Sequence, residues 1–451
     1  MNLIIQTKMQ LMHKAKFLIF FLIIIIIANG NVAQEQYDLS MVIREGLERN
    51  FSLQVVRNHE QIAANNHTWG NAGMLPTISA TNRFGGTLNT THQQFRDGDV
   101  ATSKNVHNTS GSAAINLGMT IFNGFYVQNT YQKLGMQSDL QSLSTQMSIE
   151  NLIARITSEY HYYIQQLNLY ENMSYAVTLS RERVRIDEER YNLGGVSKLE
   201  LLQSQVYLNA DSSRLARQNE VLRAAQIRLN ELMAAEDLGR IIILKDTCII
   251  INEDLLYDEL YELTMQFNTS LKIASKSQAI SELDYNIIKS RSYPYLTMSS
   301  GYSFAYSGYE TGSMDYQHVR GANYGLTLGV PIYDGLNRRR ERSNALIEIE
   351  NRRIQYQEIE QEVKGDLLTL YYAYENNLRL LRLEEQNLEV ARENHEIALE
   401  RYKLGNLSGI ELREVQKSLL DAEERLVSVK YLTKLAEISL LQISGLIMEY
   451  L

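Results

Sequence analysis

The chain has 451 residues, a formal net charge of −9, three prolines, one cysteine and one tryptophan. Average proline usage would give roughly 20 in a chain this long, and so few permit very long uninterrupted helices. A single cysteine excludes a disulfide scaffold and a cysteine-based zinc site, and the acidic balance argues against a phosphate-binding surface.

Residues 1–33 read as a secretory signal. Lys8, His13, Lys14 and Lys16 precede an apolar run over 17–28, and a short polar stretch leads to Ala33. The apolar run falls short of the ~20 residues that span a bilayer. Removing it takes the charge from −9 to −12. No later stretch is apolar for long enough to cross as a helix, so membrane insertion would have to use strands.

From there the chain states one pattern twice. An opening helix is expected over ~39–72, ending near Leu75-Pro76. Amphipathic strands follow at ~75–85 and ~112–122, where Ile115, Leu117, Met119 and Ile121 alternate with small or polar residues. A long helix is expected over ~124–192, a tight turn at ~194, and a return helix over ~197–235. Residues 34–235 make the first repeat and 236–255 a linker, with Arg240 and the isoleucines around Cys248. The second repeat, 256–451, carries an opening helix to ~291 and strands at ~294–306 and ~322–333. Its long helix (~335–403) turns at ~405 into a return helix over ~408–445.

The duplication is legible at an offset of 211. Residues 190–201 read RYNLGGVSKLEL and residues 401–412 read RYKLGNLSGIEL, seven of the twelve positions being identical. The same offset aligns Leu117 with Leu328 and Gly124 with Gly335. In the second half Tyr356, Ile359, Val363, Leu367, Leu370, Tyr374, Leu378, Leu381 and Leu388 form a seam of 3- and 4-residue steps with one gap of seven, as a coiled coil requires. About 69 residues at 1.5 Å each give a helix of roughly 100 Å. One return helix and one opening helix end to end give about the same length, which suggests a two-tier helical cylinder. The glycines at 194 and 405 supply left-handed caps. Ser197 with Glu200, and Ser408 with Glu411, fit capping boxes opening the return helices.

The strands carry large apolar residues on one face and small polar ones on the other, the pattern of a transmembrane barrel. A soluble hairpin with one buried face reads almost the same. Length favours the barrel, since about 10 residues span a bilayer when tilted, with polar loops of ~25 and ~15 residues between the strands. Four strands cannot close a barrel, so several chains must share one.

A signal segment followed by two copies of this order resembles the TolC family of outer-membrane efflux proteins. The residues that carry the resemblance are Leu75-Pro76, Phe122-Asn123-Gly124, the run from Pro331 to Gly335, and the two Arg-Tyr-x-Leu-Gly turns. It implies an α plus transmembrane β-barrel fold, a homotrimer sharing one 12-stranded barrel in the outer membrane, and an α-helical tunnel in the periplasm. It also implies a passive conduit in a tripartite efflux or type I secretion system, with a periplasmic adaptor, an inner-membrane transporter and outer-membrane lipid as partners, and 236–255 as an equatorial collar. By distance from the turn glycine, Glu411 and Glu414 fall on the family's acidic ring, Glu200 on an acidic gate position and Tyr402 on a gate tyrosine. Such rings favour cations. The arginine expected two residues after the glycine is Val196 in one half and Leu407 in the other, which points to closure by apolar packing. Leu193, Gly194, Ser197, Leu404, Gly405 and Ser408 are the implied adaptor-docking residues. Glu200 and Glu411 read equally as plain capping residues.

No catalytic, metal, cofactor or nucleic-acid site emerges. The eight histidines form no helical i, i+4 pair or zincin motif, phosphate loops and nucleophile elbows are missing, and Asp97-Gly98-Asp99 lacks further calcium ligands at the right spacing. The rival to the channel is a periplasmic coiled-coil adaptor or scaffold, which should carry one hairpin between small β-domains rather than two in tandem.

Overall fold

The computed structural model describes residues 36–450, so the expected signal lies outside the described residues. The elements are β1 (Gln36–Tyr37), α1 (Leu39–Arg49), α2 (Phe51–Asn66), β2 (Thr77–Gln94), β3 (Val100–Asn123), α3 (Tyr126–Asn192), α4 (Lys198–Leu232) and β4 (Ile243–Leu244). Then come α5 (Tyr257–Phe267), α6 (Thr269–Ser290), β5 (Tyr295–Gly308), β6 (Tyr316–Gly329), α7 (Asn337–Lys403), α8 (Gly409–Ile443) and a 3-10 turn, Ile447–Tyr450.

The helices α3 and α7 have 67 residues each, and α4 and α8 have 35 each. At 1.5 Å per residue the long pair measures about 100 Å. All four end in the same way. Gly194, Ala234, Gly405 and Gly445 take a left-handed conformation. The next residue donates its N–H back to the carbonyl five positions earlier, as in Gly195 to Arg190 at 2.7 Å and Leu446 to Leu441 at 2.8 Å. These are Schellman caps, which satisfy carbonyls left free by the last helical turn. Ala234 is the odd member, because a Cβ makes that conformation costly.

The opening helices differ from expectation. Each is broken once, at Asn50 between α1 and α2 and at Asn268 between α5 and α6, both with φ near −55° and ψ near 120°. The reason is a double role for the asparagine. Asn50 accepts from the Leu53 N–H at 3.2 Å and donates its amide to the Leu232 carbonyl at 3.2 Å. Asn268 accepts from Leu271 at 3.1 Å and donates to Ile443 at 2.9 Å. One side chain therefore starts a helix and closes the C-terminus of a return helix, where carbonyls lack partners. The first opening helix also stops at Asn66, short of the expected 72.

The strands are a second correction. β2 and β3 hold 18 and 24 residues, and the loop between them is 95–99 rather than ~25 residues. The Thr-, Asn- and Gln-rich stretch that looks like a loop is a two-stranded ribbon, paired from Thr87 with Asn108 up to Gln94 with Val100. Cross-strand hydrogen bonds satisfy its backbone, and threonine is at home in strands. The second loop is likewise shorter, 309–315.

Strand order in the main sheet is β2-β3-β5-β6, all antiparallel. Helices follow the same lateral order, because α2 leads into β2, β3 into α3, α6 into β5 and β6 into α7. Contacts run α2 to α3, α3 to α6 and α6 to α7, with α4 and α8 continuing the layer beside α3 and α7. The molecule is a one-layer wall. Its strand-to-helix corners are built alike, with left-handed Gly124 and Phe125 before α3 and Gly335 and Leu336 before α7. A Cβ on Gly124 would collide with the Ser290 carbonyl.

The largest core lies midway along the helices. Ile43, Ile153, Ile156, Ile164 and Leu229 are fully buried there, each such side chain contributing about 1.5–3 kcal/mol. The 236–255 linker wraps it. β4 pairs in parallel with β1, the Tyr163 hydroxyl donates to the Ile242 carbonyl at 3.0 Å, and the Asn252 N–H donates to buried Glu437 at 3.1 Å.

The unequal caps give opposite expectations. Ala234→Gly removes a left-handed Cβ and should raise stability by about 1 kcal/mol, whereas Gly445→Ala should lower it by at least that amount. A Cβ at 445 would also approach the Phe267 Cβ to 2.9 Å. Thermal unfolding followed by circular dichroism measures both signs.

Candidate functional site: the sheet faces and the hairpin tips

Register assigns the two sheet faces. Ile78, Leu117, Ser300 and Tyr324 lie side by side, as do Met119, Met298 and Leu326. Ala80, Ile115, Tyr302 and Ala322 make the next row up. This face is mostly large and apolar, and Ile78, Phe84, Ile115, Tyr324, Leu326 and Leu328 are exposed on it. The opposite face carries rows such as Ser79, Asn116, Gly301 and Asn323. An apolar band on one side and small polar residues on the other suit lipid and water respectively. Pro76 and Pro294 stand one residue before β2 and β5, and Pro331 two residues after β6, where a missing N–H costs no ladder bond. No described helix is long and apolar enough to cross a membrane.

At the far end each hairpin turns within five residues. Ser197 and Ser408 form complete capping boxes. The Ser197 and Ser408 N–H groups donate to Glu200 and Glu411, each at 2.9 Å, and the glutamate N–H groups donate back to the serine hydroxyls. Both glutamates are exposed, and these bonds from Ser408 hold the Glu411 carboxyl below its ordinary pKa. Glu414 lies three residues on and is also exposed, so it shares roughly one face of α8 with Glu411. Leu193 and Leu404 are 87% and 74% exposed. Two large apolar side chains thus stand at the extreme tips beside left-handed Gly194 and Gly405.

Above the second tip, Leu407 packs with Ile186, Leu399 and Val415 around buried Ala398, Tyr402 and Leu412. The apolar residue in place of the expected arginine does pack inward. It is only part of the contact between hairpins. Buried Tyr402 donates its hydroxyl to buried Asp187 on α3. Arg413 on α8 forms a bidentate pair with buried Asp211 on α4, at 2.7 and 2.8 Å. Ser180 donates to the same carboxylate. Arg183, 5% exposed, has its Nε 3.8 Å from Asp187. The guanidinium carbons of Arg183 and Arg413 lie 5.3 and 5.1 Å from the centre of the Tyr207 ring. The cluster ties α3 and α4 to α7 and α8.

Four of its members, Arg183, Asp187, Asp211 and Arg413, match no turn motif in the sequence. A signal did exist. At the repeat offset Asp187 and Asp211 correspond to Ala398 and Ala422, both buried. A carboxylate in one repeat where the other holds a core alanine marks a buried charge that must be paired.

Removing one partner leaves the other uncompensated. Asp211→Asn should cost about 3 kcal/mol of local stability, read as faster amide exchange near the tips of α4 and α8; unchanged exchange would contradict the pairing. Burial, then the hydrogen bond to Asp187, push the Tyr402 pKa up to about 12. A raised pKa means that the contribution is complete below pH 10 and lost as pH rises through 12. Tip protection should show an alkaline step there, missing in Tyr402→Phe.

Residues 260–446 match the family model for outer membrane efflux proteins. No curated protein matches the sequence. Among solved structures, CusC, described in terms of folding and transmembrane channel formation, is similar with a TM-score of 0.72 at 15% identity, over 91% of this chain and 92% of that one. The CmeC outer membrane channel of Campylobacter jejuni gives 0.71 at 16%, over 90% and 85%. The outer membrane protein VceC of Vibrio cholerae gives 0.70 at 15%, over 90% and 96%. Residues 260–446 thus carry the outer membrane efflux protein domain, and over nine-tenths of its length the chain has the fold of solved outer membrane channel proteins.

Proposed function

We propose that three copies of the chain assemble into one channel-tunnel that passively conducts solutes from a periplasmic adaptor and inner-membrane pump to the exterior. The supporting observation is the open wall. Among the described residues β2 and β6 each leave one edge unpaired, and unpaired backbone groups are not tolerated in hydrocarbon. The two flanks of the helical layer are also unfinished. On one, α7 exposes Leu346, Ile347, Ile354 and, further down, Leu383, Val390 and Ile397; on the other, α2 and α4 expose Phe51, Val55, Ile62, Leu202 and Val206. Unlike flanks joined head to tail make a ring when the rotation closes. Three copies of four strands give a twelve-stranded barrel, and duplicated halves give a tunnel wall about 100 Å long.

At the periplasmic end the Tyr402–Asp187 and Arg413–Asp211 contacts hold the two hairpins of one copy together. We read them as the gate clamp, in place of the arginine that the turn lacks. Glu411 keeps its capping geometry, and both it and Glu414 still present carboxylates, which in three copies make two acidic rings favouring cations. Exposed Leu193 and Leu404, with Gly194, Ser197, Gly405 and Ser408 shaping the turns, form the adaptor-docking surface. Glu200 serves as a cap and an acidic neighbour of that surface.

A heat-modifiable trimer in the outer-membrane fraction and discrete pores in planar bilayers are expected; a monomeric protein that forms no pores refutes the assembly. Glu411→Gln with Glu414→Gln should weaken cation selectivity, and unchanged reversal potentials would remove the acidic rings from the gate. Gly405→Val, which forces a β-branched side chain into a left-handed turn, should impair export, and normal efflux in that variant would contradict the docking role.

A further inference from the structure

The small polar face of the sheet carries one charged side chain. In the four-strand part of the sheet (77–86, 109–123, 295–308 and 316–329), inward positions among the described residues are Ser, Thr, Asn, Gly, Ala, Gln, one Val and one Tyr, except Arg83. Arg83 stands opposite Ser112, whose next neighbours across the sheet are Ala305 and Val319. Its guanidinium is exposed and makes no ion pair or side-chain hydrogen bond among the described residues. The other strand charge there, Arg320, lies on the opposite face, level with Phe304.

We infer that Arg83 makes the barrel lumen attract anions, so that the exit favours anionic over cationic solutes. This rests on the three-copy barrel proposed above. Twelve strands about 4.8 Å apart and tilted about 40° place Cα atoms roughly 12 Å from the axis. An extended arginine reaches roughly 6–7 Å from its Cα. Three guanidiniums would then stand about 5–6 Å from the axis and roughly 10 Å apart, near the ~8 Å screening length at physiological salt. Their potentials overlap, and among the described strand residues no carboxylate on the same face offsets them. The ring sits six residues above the start of β2, about 15 Å along the axis at that tilt. The cation-favouring carboxylates lie at the other end of the tunnel, so the two ends carry opposite charge.

The test reads local potential at the barrel, independently of the gate. In a Cys248→Ser background, Ser112→Cys places a thiol directly across from Arg83. Its reaction rates with a negatively and a positively charged methanethiosulfonate are compared in the purified full-length protein, each normalised to a free thiol. The anionic reagent should be favoured about tenfold, as a potential of about one kT or more requires, and Arg83→Gln should bring the ratio close to one while Arg83→Lys keeps it. A trimer on gels whose ratio is near one, or is the same with Arg83→Gln, overturns the anion ring alone. A protein that never forms the heat-modifiable trimer overturns the barrel reading instead.

Discussion

An unpaired strand edge in hydrocarbon is the constraint on which the rest of this molecule depends. Each backbone N–H and C=O that cannot reach water must find a partner within the protein, and among the described residues one edge each of β2 and β6 has none inside one copy. The strand order β2-β3-β5-β6 is carried into the helical layer without a crossing, so the helices inherit the same two unfinished flanks. Apolar stripes on α7 and on α2 with α4 are what such flanks need for closure. In the assembly proposed above, the barrel and the tunnel are thus one solution to one pairing requirement.

The long helices follow from the same economy. A wall one layer thick has no second layer to bury against, so each helix must bury two flanks rather than one face. The apolar residues of α7 are accordingly divided. Val363, Leu367, Tyr374, Leu381 and Leu388 are buried within the copy, while Leu346, Ile354, Leu383 and Val390 are left exposed on it. Schellman caps on Gly194 and Gly405, followed by the capping boxes, end one helix and open the next at the tips without leaving the layer.

Much of this was legible in the residues. The repeat at 211, the Leu-Gly turns, the capping boxes and the period-two strands all follow from local rules that the three-dimensional context does not override. What was not legible depends on partners distant in sequence. Asn50 and Asn268 look like ordinary polar positions on a helix until the carbonyls of Leu232 and Ile443 arrive to meet them. The ribbon over 87–108 reads as loop because both of its faces are polar, leaving no alternation to detect. The inter-hairpin cluster was hidden for a related reason. Arg413 and Asp211 are 202 residues apart, and only the comparison of one repeat with the other, carboxylate against alanine, betrays that Asp187 and Asp211 lie inside.

That substitution of charge for alanine also breaks the equivalence of the two hairpins. They agree in length to the residue, yet one tip reads Leu193-Gly194-Gly195-Val196-Ser197-Lys198 and the other Leu404-Gly405-Asn406-Leu407-Ser408-Gly409, and the buried Asp187 and Asp211 belong to the first alone. A partner assembled from identical subunits and meeting every tip would face two kinds of surface in alternation. Under the docking role proposed above, such a partner would need two binding poses or would occupy every second tip, a choice set by Lys198 and Gly409 as much as by the shared turn.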